Sequence, residues 1–250
     1  MDIGTPAVLI VCMEVMVLKK QYLALLITAI LAVTSWIAGC YLPAEREIQK
    51  PQRLSAAELI LDAGHGGEDG GAVSPTGAAE SHINLKIVLD MEDILGLYGV
   101  CPLLLRREDV SLHGEEAETL REKKVSDLKH RVAVIEGEPQ ADLISIHQNS
   151  YPDSGQYGLQ VFYAPTEGSQ EMGEWIQQTV TEALRPGKQR SARQIPETVY
   201  LMNHISCRAV LVECGFLTNP EEEQLLISGW YQKKLALLIS GAWLEAKRTI

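Results

Sequence analysis

The 250-residue sequence lacks several features that would place it in a class at once. It has no excess of positive charge, because 22 basic residues stand against 33 acidic ones and the formal net charge is −11. A chain of that sign repels a phosphate backbone, so we expect no nucleic acid partner. It contains no GxSxG serine elbow, no P-loop and no CxxC pattern, which argues against the nucleophilic, nucleotide-binding and redox sites that those motifs mark.

Cysteine is scarce and irregularly spaced. Two of the five cysteines, Cys12 and Cys40, lie near the N-terminus, and Cys101, Cys207 and Cys214 follow later. An odd number at irregular spacing is not a disulfide framework. Cys207 and Cys214 could pair if their strands allowed it, but we interpret the last three as buried thiols.

A long uncharged segment near the N-terminus is the first positive feature. Residues 1–20 are a short N-terminal region that ends in Lys19 and Lys20, and residues 21–42 contain no charged side chain. That length is enough for a membrane anchor or for the apolar part of a signal peptide. The positive flank on its N-terminal side predicts that the rest of the chain is exported, either anchored at the cell envelope or secreted.

Two details of this leader leave alternatives open. Glu14 interrupts residues 1–15, whereas a chain beginning at Met16 would start as ordinary signals do, so Met16 is an alternative start. The stretch 37–40, IAGC, resembles a lipobox in which Cys40 would be lipidated after cleavage. The other interpretation is the small-residue end of an uncleaved anchor.

After a polar linker at 43–54, residues 55–250 alternate between two patterns. Short apolar runs typical of strands occur at 58–61, 100–105, 142–146, 159–163 and 209–212. Helical spacing of apolar residues occurs after Glu80 and at about 127–135, 170–184 and 230–246. This alternation predicts a single α/β domain with a mostly parallel central sheet, flanked by helices on both faces.

Ionisable residues follow three of the predicted strands. His65 comes after the first, His147 ends the third and Glu213 ends the fifth. Ligands of open α/β sheets gather where the strands end, so these side chains are expected to converge. Glu80 shares the inward face of its helix with Ile83 and Ile87. Burying a carboxylate there without a partner would cost free energy.

Two imidazoles and a carboxylate, with one position left for water, form the ligand set of catalytic zinc. A second carboxylate that does not bind the metal could then act as general base. Each residue also has a plainer interpretation. The GHGG stretch that holds His65 could be a tight turn or a phosphate-binding loop, His147 an ordinary strand-end histidine, Glu80 a helix N-terminal acid and Glu213 a solvated strand end. Asp62 could orient a ligand imidazole or stabilise its own turn.

Four segments together resemble a known family. LDAGHGGEDGGAV, ESHINL, SIHQNS and AVLVECGFLTNPEE are similar, in this order, to the signature blocks of the zinc-dependent N-acetylmuramoyl-L-alanine amidases (amidase type 3). The resemblance spans residues 58–245 and is greatest to the germination- and sporulation-specific members. It departs at Ser81, where the family usually has lysine, and at Cys214, where an apolar residue is more common.

The resemblance implies a mixed sheet flanked by helices, with His65, Glu80 and His147 as zinc ligands and Glu213 as the catalytic glutamate. It implies hydrolysis of the amide that joins N-acetylmuramic acid to the L-alanine of the peptidoglycan stem, with a role in the spore cortex for the sporulation members. The expected partners are peptidoglycan, a membrane through the N-terminal segment and an unidentified activating lipoprotein. The alternatives are a non-catalytic peptidoglycan-binding module of the same fold and a zinc peptidase that cuts within stem peptides.

Overall fold

The computed structural model of the protein describes residues 56–184 and 190–249, together with residues 27, 28 and 34. Strands and helices alternate through the two long ranges. The strands are β1 (Leu59–Ala63), β2 (Leu103–Leu104), β3 (Asp142–Asn149), β4 (Gln160–Tyr163), β5 (Arg193–Gln194) and β6 (Ala209–Phe216). The helices are α1 (Glu80–Leu97), α2 (Leu120–Glu136), α3 (Ser169–Leu184), α4 (Pro220–Leu226) and α5 (Gly229–Thr249).

The predicted hydrophobic segment, residues 21–42, lies almost wholly outside the described residues, as do the linker and the alternative start. Within the described ranges, no helix combines the length and the apolar character that crossing a bilayer requires.

The strands form one mixed sheet in the order β2-β1-β3-β6-β4-β5. Every neighbouring pair is parallel except β4 and β6, which run antiparallel. All five residues of β1 are buried, as expected for a parallel strand that is covered on both faces. The predicted α/β fold with a mostly parallel, mixed sheet is therefore confirmed.

Two hydrophobic layers cover the sheet, and alternate residues of β1 point into each. Leu59 and Leu61 pack into a core completed by α1, α3 and α5. Ile60 packs into a second core, on the other face, to which α2 and the 3₁₀ turn at Leu201–Asn203 contribute. The prediction of helices on both faces is confirmed.

The three cysteines of this region are free thiols. Cys207 belongs to one hydrophobic core and Cys214 to the other, so the sheet separates them and they cannot pair. The interpretation as buried thiols is correct for these two and wrong for Cys101, which is exposed.

The helix α2 begins seven residues before the predicted boundary. A capping box starts it, in which the Thr119 hydroxyl accepts a hydrogen bond from the Glu122 amide and the Glu122 carboxylate accepts one from the Thr119 amide. The buried residues of α2 are Asp127, Arg131 and Ile135. Because two of these three are charged, the helix shows little of the apolar periodicity by which helices are recognised.

Arg131 on α2 is the centre of a buried polar network and is only 2% exposed. Its guanidinium pairs with Asp62 and Asp127 and donates to the carbonyl oxygens of Ala63, at 3.0 Å, and His65, at 2.8 Å. Burial by itself would raise the pKa of Asp62, but the Arg131 charge and a hydrogen bond from Ser145 outweigh it and hold that pKa below its ordinary value. The network ties α2 to the end of β1.

Replacing Arg131 should therefore destabilise the protein strongly. Arg131→Met leaves two buried carboxylates without their cation, and we expect the free energy of unfolding in urea to fall by about 3–5 kcal/mol. Arg107→Met is the control, because the exposed Arg107 pairs with Glu92 at the surface and such a pair contributes at most about 1 kcal/mol. Equal, small losses in both variants would show that the Arg131 network does not support the fold.

Candidate metal centre

The loop that follows β1 holds His65 in an unusual backbone conformation. His65 has a φ of 62° and is the one residue other than glycine with a positive φ in the described ranges. Gly66 and Gly67 follow it with φ values of 141° and 61°. A non-glycine residue in this region is uncommon, and such conformations persist where the surroundings impose them, often at functional sites.

Two buried arginines impose this conformation by binding the carbonyl groups of the loop. Arg106, 3% exposed, donates to the carbonyl oxygens of Ala63 at 2.8 Å and Gly64 at 3.1 Å. Arg131 donates to those of Ala63 and His65. These bonds help to satisfy the carbonyls of a loop that turns into the protein, and the Asn84 side chain adds a further bond to the Gly64 carbonyl at 3.2 Å. Together they hold the backbone that carries His65.

Glu80 is the first residue of α1 and is only 3% exposed. Its Oε2 accepts a hydrogen bond from the Ala72 amide at 2.8 Å, and its Oε1 accepts one from the Gln148 amide at 3.0 Å. Oε1 also lies 2.9 Å from His147 Nδ1 and 3.4 Å from His65 Nε2. The carboxylate is thus fixed between the two imidazoles.

His147 and Glu213 are register partners on the neighbouring parallel strands β3 and β6. The two strands are longer than the sequence predicts, reaching Asn149 and Phe216, so both residues lie inside strands rather than at their ends. The register shifts between His147 and Asn149. The structure brings together all four residues that the sequence selected, on the edge where β1 ends.

His65, Glu80 and His147 could together hold a metal ion. One ligand atom from each residue lies within 4.8 Å of the others, and the imidazole rings are 5.0 Å apart between centroids, at 76°. Burial disfavours a charged imidazole, yet Glu80 and Asp69 raise the pKa of His65 to about 9. The two carboxylates thus favour a positive charge at this point, and a divalent cation provides one.

Glu213 lies next to this cluster but takes no part in the hydrogen bonds that join Glu80 to the two histidines. Its Oε2 is buried and has no hydrogen-bond partner among the described residues. Burial raises the pKa of Glu213 to about 7, with the Glu80 charge acting in the same direction and the two histidines opposing it. A carboxyl group with such a pKa can both accept and release a proton near neutral pH.

The glycines of the loop have a steric role that the sequence did not reveal. A Cβ atom at Gly64 would lie 2.2 Å from the His147 ring, and one at Gly71 would lie 2.6 Å from Glu80 Oε2 and 2.7 Å from the His65 ring. These glycines leave the volume that the cluster itself occupies.

Beside the cluster lies a cleft of about 320 Å³. His65 and His147 lie along one part of it, and Leu128, Val199 and Tyr200 line another. A ligand in this cleft would meet the two imidazoles directly and would contact apolar surface further along.

The structure also shows supporting residues that the sequence did not single out. Asp69, not Asp62, lies against His65 Nδ1, at 3.0 Å, while Asp62 pairs with Arg131. Gln148 donates to the Asn84 side chain at 3.0 Å, and Asn84 donates to Glu80 at 3.3 Å. The one available signal for Asp69 was its position four residues after His65 in a loop rich in glycine.

Comparison with known proteins gives consistent matches over this region. The family model of the N-acetylmuramoyl-L-alanine amidases matches residues 59–243. The germination-specific N-acetylmuramoyl-L-alanine amidase of Bacillus subtilis is 32% identical over 185 residues, which cover 73% of this chain and 76% of that protein.

Solved structures match as well. The CwlD amidase of Clostridioides difficile, in complex with the GerS lipoprotein, is 33% identical with a TM-score of 0.74, over 78% of this chain and all of that one. The catalytic domain of CwlV, an amidase from Bacillus (Paenibacillus) polymyxa, is 27% identical with a TM-score of 0.65, over 77% of this chain and 98% of that one.

The steric role of Gly64 can be tested by adding one methyl group. We expect Gly64→Ala to displace the His147 ring and to lower the amount of divalent metal that the protein retains after dialysis, measured by atomic emission. Gly70→Ala is the control in the same loop, because its Cβ would lie 3.6 Å from Ala79, an ordinary contact. Equal metal retention in both variants would show that Gly64 does not make room for His147.

Proposed function

The chain belongs to the N-acetylmuramoyl-L-alanine amidase family, and we propose that it hydrolyses the amide of its peptidoglycan substrate with the help of a zinc ion. In this proposal His65, Glu80 and His147 bind the zinc, and Glu213 is the general base. As a member of this family it is a cell-wall hydrolase that separates the stem peptide from N-acetylmuramic acid. The observation that carries the proposal is the convergence of two imidazoles and one buried carboxylate beside Glu213, whose buried Oε2 has no hydrogen-bond partner among the described residues.

The three proposed ligands suit zinc by their chemistry. Two histidine nitrogens and one carboxylate oxygen are a known catalytic set, which leaves a coordination position for water or substrate. When bound, zinc lowers the pKa of a water molecule to about 7 and polarises a carbonyl oxygen. Glu80 is fixed by two backbone amides, so its carboxylate has one defined position between the two histidines.

Glu213 acts on protons in this proposal. Its carboxylate accepts a proton from the attacking water and returns it to the alanine nitrogen as the amide bond breaks. A base must be free to take the proton, and Glu213 Oε2 has no hydrogen-bond partner in the described part of the chain. The raised pKa of Glu213, about 7, suits a group that both accepts and donates. The adjacent cleft of about 320 Å³ is lined by His65 and His147, so a substrate bound there would lie beside both imidazoles.

Mass spectrometry of stem-bearing peptidoglycan, incubated with the full chain, tests the reaction. We expect release of intact stem peptides that begin with a free L-alanine amine, and loss of release when zinc is chelated. Glu213→Gln should keep its zinc but lose turnover by about 10²- to 10⁴-fold, since it cannot accept the proton. Glu221→Gln, a change at an exposed position of α4, is the matched control and should cleave normally.

Other products would support the alternative functions. A different new amino terminus would identify a zinc peptidase acting within the stem, and binding without any release would identify a non-catalytic module. Full activity of Glu213→Gln would remove that residue from the mechanism.

We further propose that the chain is exported, held at a membrane by residues 21–42, and assisted by a lipoprotein during spore cortex formation. The support is the positive flank of the uncharged segment, the germination-specific relative and the lipoprotein complex of the C. difficile amidase.

Cell fractionation tests the anchoring. Full-length protein should sediment with membranes, whereas a chain lacking residues 1–42 should stay in the supernatant. Labelling with a palmitate analogue separates the two anchors, because a lipid anchor requires Cys40 and Cys40→Ser would then lose the label. Supernatant recovery of the full-length chain would contradict anchoring.

A further inference from the structure

Asp69 lies on the side of the His65 ring that faces away from Glu80 and His147. Its Oδ2 is 3.0 Å from His65 Nδ1, while His65 Nε2 faces Glu80. An ionised carboxylate can only accept hydrogen bonds, so Nδ1 carries the proton of this bond. Nε2 of a neutral His65 ring is then free to bind a metal, with the ring held in one orientation.

The other oxygen of Asp69 is held from the helix α2. Asp69 Oδ1 lies 2.9 Å from Lys124 Nζ and accepts a weaker bond from the Gly71 amide at 3.3 Å. The backbone of Asp69 pairs with that of Gly66 through two hydrogen bonds, and any residue could make these. The side chain of Asp69 is therefore committed to His65 on one side and to Lys124 on the other.

We propose that Asp69 is a positioning residue that sets the zinc affinity of the site through His65, and that Lys124 holds Asp69 in place. The inference rests on the proposed zinc-dependent function and extends it to two residues that do not bind the ion. A carboxylate behind a ligand histidine fixes its tautomer and raises its basicity, and loss of such a partner typically lowers metal affinity by about 10- to 100-fold.

A neighbouring ion pair provides a matched control. Lys123, the residue before Lys124, reaches Glu68 at 2.8 Å. This pair joins the same helix to the same loop, but neither residue has a contact with His65, Glu80 or His147 among the interactions of the described residues. A general loosening of the loop should follow from the loss of either lysine, whereas an effect through His65 should follow only from the loss of Lys124.

Zinc affinity of the full chain, measured by competition with a chromophoric chelator, tests the proposal. We expect Asp69→Ala to weaken zinc binding by about 10- to 100-fold. Asp69→Asn should weaken it less, because the amide oxygen still accepts the proton of Nδ1 but carries no charge. Lys124→Met should weaken it by roughly 2- to 5-fold, the range of an exposed ion pair, and Lys123→Met should leave it unchanged.

Two further measurements separate positioning from a purely structural role. The proton on Nδ1 of His65 should give a downfield, exchange-protected resonance in the zinc-loaded wild type and in Asp69→Asn, and this resonance should be absent from Asp69→Ala. The zinc-free Asp69→Asn protein should unfold within about 4 °C of the wild type, because the ion pairs that it loses are partly exposed and contribute about 1 kcal/mol. Wild-type affinity in Asp69→Ala, or equal losses in the two lysine variants, would overturn the inference while leaving the proposed function intact. A wild-type chain that binds no zinc would overturn both.

Discussion

The capture of three consecutive backbone carbonyls by two buried guanidinium groups is the interaction on which the site depends. The carbonyls of Ala63, Gly64 and His65 turn into the protein where β1 ends, and Arg106 and Arg131 bind all three. A buried carbonyl left without a partner would cost about 1–3 kcal/mol, so a loop in this conformation requires side-chain donors, and Asn84 provides another one for Gly64. The charges of the donors must in turn be balanced, and this accounts for the buried carboxylates of Asp62 and Asp127 around Arg131.

The two neighbouring glutamates of this site, Glu80 and Glu213, have pKa values that are shifted in opposite directions. Glu80 accepts hydrogen bonds from two backbone amides and lies between two imidazoles. Burial alone would raise its pKa, but the hydrogen bonds and charges of His147 and His65 outweigh burial and hold that pKa far below the ordinary value. The Oε2 atom of Glu213 is also buried but has no hydrogen-bond partner among the described residues, and burial raises the pKa of Glu213 to about 7. Environments that separate the pKa values of neighbouring acids commonly divide their roles. Here the permanently charged carboxylate suits a metal ligand, and the titratable one suits a proton carrier.

Much of this arrangement could be predicted from the sequence, because it follows from local patterns. Apolar runs located five of the six strands in the described ranges, and the chemistry of His65, Glu80, His147 and Glu213 selected the residues that the fold brings together. The start of α2 could not be predicted in this way, because apolar periodicity reports only helices that pack on apolar surfaces. The roles of Asp69 and of Gly64 depend on contacts with side chains that are distant in sequence or on the far side of a turn, and spacing does not reveal such contacts.

The polar inward face of α2 has a physical reason. This helix packs against the loop that carries His65 as well as against the sheet, and it reaches the loop through Lys123, Lys124 and Arg131, which contact Glu68, Asp69 and the His65 carbonyl. An apolar face could cover the sheet, but it could neither satisfy the buried carbonyls of the loop nor orient its carboxylates. The inward face of the helix is therefore less apolar than that of a helix that packs on the sheet alone, and its charged side chains hold the loop that carries His65 in one conformation. This polar inward face explains why the start of α2 is hard to recognise in the sequence, although the helix holds the loop that carries His65.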